Sequence, residues 1–296
     1  MTALYRTAAH AAIANAFNPH RFNGYIPDAD HKRRQKDSRV RFGASPSVPT
    51  QANPGRFRAP ILDQGPCGSC TGHGTAQAVF TSSAANGNSI PLPSPDLIYK
   101  VTRAIERPNA SIALTDSGAM PSDILTTLRQ WGVKPMGPSV EGRNSDCALA
   151  TVNDEPDLLS LETSGLRILT GEYRVDETGG AVIGQIQASL ASNACAGIGI
   201  FVDSAFENWD PATGPISSIN LNDPNGGGHW LSLDYYYMTS SAVILGGPNS
   251  WSVSWPGGSG GPSGSPYWQP GCYEITASCL LSVLSDCLLF PVQVLS

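Results

Sequence analysis

The feature that most constrains the fold is a change in periodicity partway along the chain. Four stretches in the first two thirds carry apolar residues at helical spacing or open on helix-start signals: residues 70–85, 94–106, 121–131 and 181–193. Ser94-Pro95 supplies a cap and first-turn pair, and Ile124, Leu125, Leu128 and Trp131 fall on one helical face. Further on, runs rich in β-branched and aromatic residues at 197–202, 229–238 and 242–246 alternate with Gly/Pro/Asn-rich loops. A helical half followed by a β half predicts an α+β chain with a cleft between the two parts.

Residues 1–55 read as an N-terminal arm and connector, and residues 56–296 as the globular domain, its helical half at about 56–170 and its β-rich half at about 171–296. The arm carries a short Ala-rich helix over 2–16, and is expected to dock on the body or on a protein partner. With 24 acidic against 18 basic residues the net charge is -6, which argues against a nucleic-acid partner. The basic run His31–Arg34 is interleaved with Asp28, Asp30 and Asp37 and reads as a solvated segment. No stretch is long and apolar enough to span a bilayer, and the first residues lack the pattern of a secretory signal. Cytoplasmic synthesis is the expectation; the destination stays open, a virion among the alternatives. Cysteines number seven, so at least one lacks an intramolecular partner, and mostly reduced thiols are expected.

The most informative segment is Gln64-Gly65-Pro66-Cys67-Gly68-Ser69-Cys70, which runs directly into the first helix. It places a thiol where unpaired backbone amides and the helix dipole favour thiolate, the nucleophilic form. Gly68 and Ser69 are small enough to admit a substrate backbone, and Gln64 can aim an amide donor at a developing oxyanion. A base is needed, and His73 and His229 are the histidines outside the arm. His73 shares the nucleophile's helix, whereas His229 follows three glycines and opens a strand facing the cleft, so His229 is preferred. Asn249 is placed to orient the imidazole, with Trp251 available to shield that hydrogen bond.

Taken in order, Gln64 to Cys70, Gly228-His229 and Asn249-Ser250-Trp251 resemble the papain family of cysteine peptidases, including its bacterial and phage-type members. Tyr25-Ile26-Pro27-Asp28, Asp116-Ser117-Gly118 and Tyr173-Arg174-Val175 are similar to segments of that family, and the resemblance covers about 56–290. It implies a papain-like fold, a helical subdomain facing a β-barrel-like subdomain with the active site between them. It also implies a cysteine-type endopeptidase: Cys70 the nucleophile, His229 the general acid/base, Asn249 its orienter, Gln64 the oxyanion donor, and Gly118 part of the substrate wall. No cofactor and no metal is called for, and the partner is a peptide or protein substrate.

Three departures stand out. Thr71 follows the nucleophile where the family has Trp or Tyr. The segment before Gly118 lacks the cysteine that usually pairs with the one corresponding to Cys67, and the arm is too short for the usual inhibitory propeptide. The rival reading is a papain-fold structural or binding component of a larger assembly, viral or phage, using the arm, the loop 256–265 and the apolar tail 275–295 as contact surfaces. Other patterns carry less. Cys67, Cys70 and His73 lack a second ligand pair for a metal, Gly257–Gly261 matches a serine-hydrolase pattern by letter only, and Asn109-Ala110-Ser111 matters only in a secretory compartment.

Overall fold

The computed structural model describes residues 25–26, 48–107, 109–167, 174–175, 179–257 and 260–292. The arm helix, the basic run and Tyr173 lie outside these residues.

Helix α1 (Cys70–Ala85) is buried on nearly every side, because its first half is built mainly of Cys, Thr, Gly and Ala, with His73 and Gln77 among them. A helix with few bulky side chains can be enclosed by neighbours on several faces at once, and two contacts show how close they come. A Cβ on Gly72 would lie 2.1 Å from the carbonyl oxygen of Pro95, at the start of α2 (Pro95–Glu106). A Cβ on Gly74 would lie 2.9 Å from the Trp230 ring, on strand β3 (Gly227–Leu233). Helix α2 begins as its sequence predicts, with the Ser94 side chain accepting from the Leu97 amide and Pro95 in the first turn. Helix α3 (Pro121–Thr126) passes into a π-type turn over Thr127–Trp131, which together fill the expected 121–131 segment. The short α4 (Leu158–Ser164) completes the helical half.

The β half contains two sheets. One has four strands in the order β1 (Gln51–Ala52), β4 (Tyr235–Met238), β5 (Val243–Pro248), β6 (Cys272–Thr276). The other has three, in the order β3, β2 (Cys195–Val202), β7 (Leu284–Phe290), and neighbouring strands in both sheets run antiparallel. Helices α5 (Gly180–Ala191), α6 (Ser204–Glu207) and α7 (Ala277–Val283) complete this half. The predicted single strand over 229–238 is two strands that break at Asp234 and belong to different sheets. Asp234 is fully buried, and its carboxylate takes a forked pair of bonds from Arg58, at 2.8 and 2.7 Å. An ion pair so enclosed needs every bond it makes, which fixes the chain direction at the switch.

Strand β3 separates two cores. Leu231 packs with Ile198, Ile200, Tyr273 and Leu280, while Trp230 packs with Cys70, Ala78 and Val79 of α1. Alternate residues of one strand thus serve opposite faces. Tyr25 ties the halves together: Ile26 donates to the Ala119 carbonyl at 3.1 Å, the Tyr25 ring meets Trp230 at 5.9 Å, and its hydroxyl bonds Ser285 and Asp286. The tail offered above as a contact surface is instead interior, since β6, α7 and β7 carry Tyr273, Ile275, Leu280, Val283, Leu288 and Phe290 into the core. Its two strands are buried at nearly every position, on both faces. Among the described residues no helix is long and apolar enough to cross a membrane.

Gly72→Ala tests the closeness of this packing. Helix propensity alone favours the variant by about 1 kcal/mol, but the added methyl meets backbone at Pro95. Urea unfolding is expected to show a net loss of about 2 kcal/mol; a gain would mean that α1 and α2 are not held this tightly.

Candidate active site

Cys70 is the first residue of α1, and the Ser69 before it makes no side-chain cap bond, so the first-turn amides are not claimed by a cap. The Cys70 sulfur is fully buried and receives backbone hydrogen bonds from Trp230 and Thr71. The Trp230 contact brings the sulfur within one residue of His229. Burial nevertheless dominates, and it pushes the Cys70 thiol well above its ordinary range against the pull of those amides. The thiolate expected from position at a helix start is therefore not the resting form of this enclosed site.

His229 lies opposite Ile200 in the β2/β3 ladder, fully buried. Its Nε2–H donates to Asn249 Oδ1 at 2.8 Å, and the Trp251 ring stacks on the imidazole at 4.7 Å with 22° between planes. Phe206 closes the same side, edge-on to both rings. Asn249 follows β5 directly, with its amide donating to the Gly271 carbonyl at 2.8 Å.

Gln64 arrives through a short antiparallel pairing of 62–64 with 250–252. Its amide donates to the Ser250 carbonyl at 2.8 Å, the Ser252 amide to the Leu62 carbonyl at 3.2 Å, and Asp63 bridges Trp251. The Ser250 hydroxyl donates to Gln64 Oε1 at 2.5 Å, and Gln64 Nε2 donates to the Cys67 carbonyl at 2.9 Å. Ser250 thus fixes which end of the carboxamide faces the turn before Cys70. The sequence reading treated it only as part of a motif; a hydroxyl between Asn249 and Trp251 was the available signal.

Gly68 and Gly118 meet around Asp116 and Tyr99, and Ser69 turns away from them. The Gly68 amide donates to both Asp116 oxygens at 3.0 Å, Tyr99 donates to the same carboxylate at 2.7 Å, and the Gly118 amide donates to Tyr99 Oη at 2.9 Å. Gly118 has φ of 91°, in the region that favours glycine. Ser69 is fully buried with its hydroxyl 3.2 Å from His73 Nδ1, so its side chain faces inward. His73 itself is enclosed, Nε2 bonding Ser145 Oγ at 2.8 Å and Nδ1 the Ser69 carbonyl at 2.9 Å. Burial lowers its pKa to about 4. Its two nitrogens are engaged in holding loops together. Thr71, the departure from the family pattern, is fully buried and its hydroxyl finds no hydrogen-bond partner among the described residues.

No protein-family model matches the chain, and no curated protein does. Solved structures do. Xylellain, a cysteine protease from Xylella fastidiosa, aligns at TM-score 0.61 and 21% identity over 92% of this chain and 96% of its own. Procathepsin B S9 from Trypanosoma congolense aligns at 0.60 and 12% over 95% and 88%, and the bromelain protease from Ananas comosus, in complex with the inhibitor E64, at 0.52 and 16% over 81% and 98%. The chain has the papain-like fold.

The His73 environment makes an acid-sensitivity test. A histidine held neutral in the fold stabilises it fully above the unfolded value of 6.5, and that contribution is lost as pH falls towards about 4. Between pH 7 and 4.5 the wild type should lose about 2 kcal/mol more than His73→Gln, measured by urea unfolding at both values. Equal losses would mean that His73 is not held neutral.

Proposed function

We propose that this papain-fold chain is a cysteine-type endopeptidase. Cys70 attacks the carbonyl carbon of a peptide bond, His229 is the general acid/base, Asn249 orients the imidazole and Gln64 donates to the oxyanion. The observation that carries the reading is the hydrogen bond from His229 Nε2 to Asn249 Oδ1 beneath the Trp251 ring. With Nε2 committed to the orienting amide, Nδ1 is the nitrogen that exchanges a proton with the sulfur.

In the first step Nδ1 takes the Cys70 proton as the sulfur adds to the carbonyl carbon, and the carbonyl oxygen becomes anionic. The second Nε2 hydrogen of Gln64, the first being used on the Cys67 carbonyl, and the Cys70 amide stabilise that charge. Collapse expels the amine, which leaves with the proton from His229, and a thioester remains. A water deprotonated at His229 then releases the carboxylate and restores the thiol. Gly68 and Gly118 form the wall along which the substrate backbone lies, and Trp251 keeps water from the His229–Asn249 bond.

Cys70 and His229 are completely buried, so the peptidase reading requires the site to open for substrate, whereas the scaffold reading requires no opening. One labelling experiment separates the two. Incubation with a thiol-reactive peptide epoxide is expected to give a single adduct at Cys70, located by mass spectrometry, that is lost in His229→Ala. A folded wild type that stays unlabelled would favour the scaffold reading. On a peptide substrate, Gln64→Ala is expected to lower kcat by about 100-fold, and no change would remove Gln64 from the oxyanion role.

A further inference from the structure

The sequence assigns Cys67 no partner, since the segment leading into Gly118 holds no cysteine. The fold supplies one from elsewhere. Cys147, 80 positions along the chain, brings its carbonyl oxygen to 3.8 Å from the Cys67 sulfur. Both side chains are fully buried in one small apolar cluster with Tyr99, Ala119 and Val152, and the two thiols hydrogen bond each other. All seven cysteines are present as free thiols, and neither member of this pair has a role in the peptidase reading.

We propose that Cys67 and Cys147 are a dithiol–disulfide site, oxidised by a low-molecular-weight disulfide of the glutathione type, which fastens the loop ending at Cys147 to the nucleophile turn and leaves the Cys70 thiol untouched. The Cys67 thiolate attacks one sulfur of the glutathione disulfide and expels glutathione thiolate. The Cys147 thiolate then attacks the Cys67 sulfur of the mixed disulfide and expels the second glutathione. Two protein thiols lose two electrons and two protons, and two glutathione molecules carry them away.

Local chemistry orders these steps. The bond from Cys147 lowers the Cys67 pKa and raises that of Cys147, which makes Cys67 the first attacker. Arg143 lies beside the pair, its Nη2 donating to the Cys147 carbonyl at 3.2 Å. The carbonyl of Cys67 accepts from Gln64, so the bridge would hold the acceptor that fixes the proposed oxyanion donor.

The test uses the full chain after incubation with oxidised glutathione or with a reductant. Each sample is denatured with N-ethylmaleimide, digested and mapped by mass spectrometry. The expected result is a linked peptide pair carrying Cys67 and Cys147, in the oxidised sample only, with Cys70 still alkylated. The oxidised form should also melt about 10 °C above the reduced form. That difference should vanish in both Cys67→Ser and Cys147→Ser. Alkylation of both cysteines after oxidation, or a link from Cys67 to Cys70, would overturn the proposal; because mapping is done on the wild type, a variant that fails to fold does not blur the answer.

Discussion

The close approach of α1 to β3 is the constraint on which the rest of the molecule depends. Gly74 faces the Trp230 ring, and the backbone of Trp230 reaches the Cys70 sulfur. A larger residue at Gly74 forces either the helix or the Trp230 ring to shift, and a displaced helix would take the sulfur from its neighbour. His229 precedes Trp230 on the strand, so a packing contact between two halves also sets the spacing between the proposed nucleophile and its proposed base. The pairing of 62–64 with 250–252 acts in the same way for Gln64, Asn249 and Trp251.

Enclosure has an electrostatic cost. A thiol with no exposure is held protonated, whatever the amides at the helix start contribute. The proposed chemistry therefore begins from a Cys70 thiol, and its ionisation accompanies entry of a substrate or reagent. His73 shows the same physics with the opposite sign, a base kept neutral by burial and used to join Ser69 to Ser145.

Much of this was legible in the residues. The Ser94-Pro95 start and the buried stripe at Ile124, Leu125 and Leu128 appear as expected, whereas Trp131 is only half-buried and the strand expected to open at His229 begins two residues earlier. Local signals encode local structure, and motif order along the chain is enough to name a fold. What stayed hidden depends on contacts between distant segments. The break at Asp234 needs Arg58, which lies 176 positions away. The segment 272–290 divides into strand, helix and strand because its two ends join different sheets. Cys147 becomes a neighbour of Cys67, and Ser250 of Gln64, through loop paths that no periodicity announces.

The central claim is that the Cys70 sulfur and the His229 imidazole face each other across the junction of the halves. A small bifunctional alkylating agent such as 1,3-dibromoacetone tests it directly, because it can join a thiol to an imidazole only where the two lie a few ångströms apart. Peptide mapping after treatment should recover a single cross-linked species containing Cys70 and His229. A one-armed adduct on Cys70, or a link from Cys70 to His73, would contradict the account.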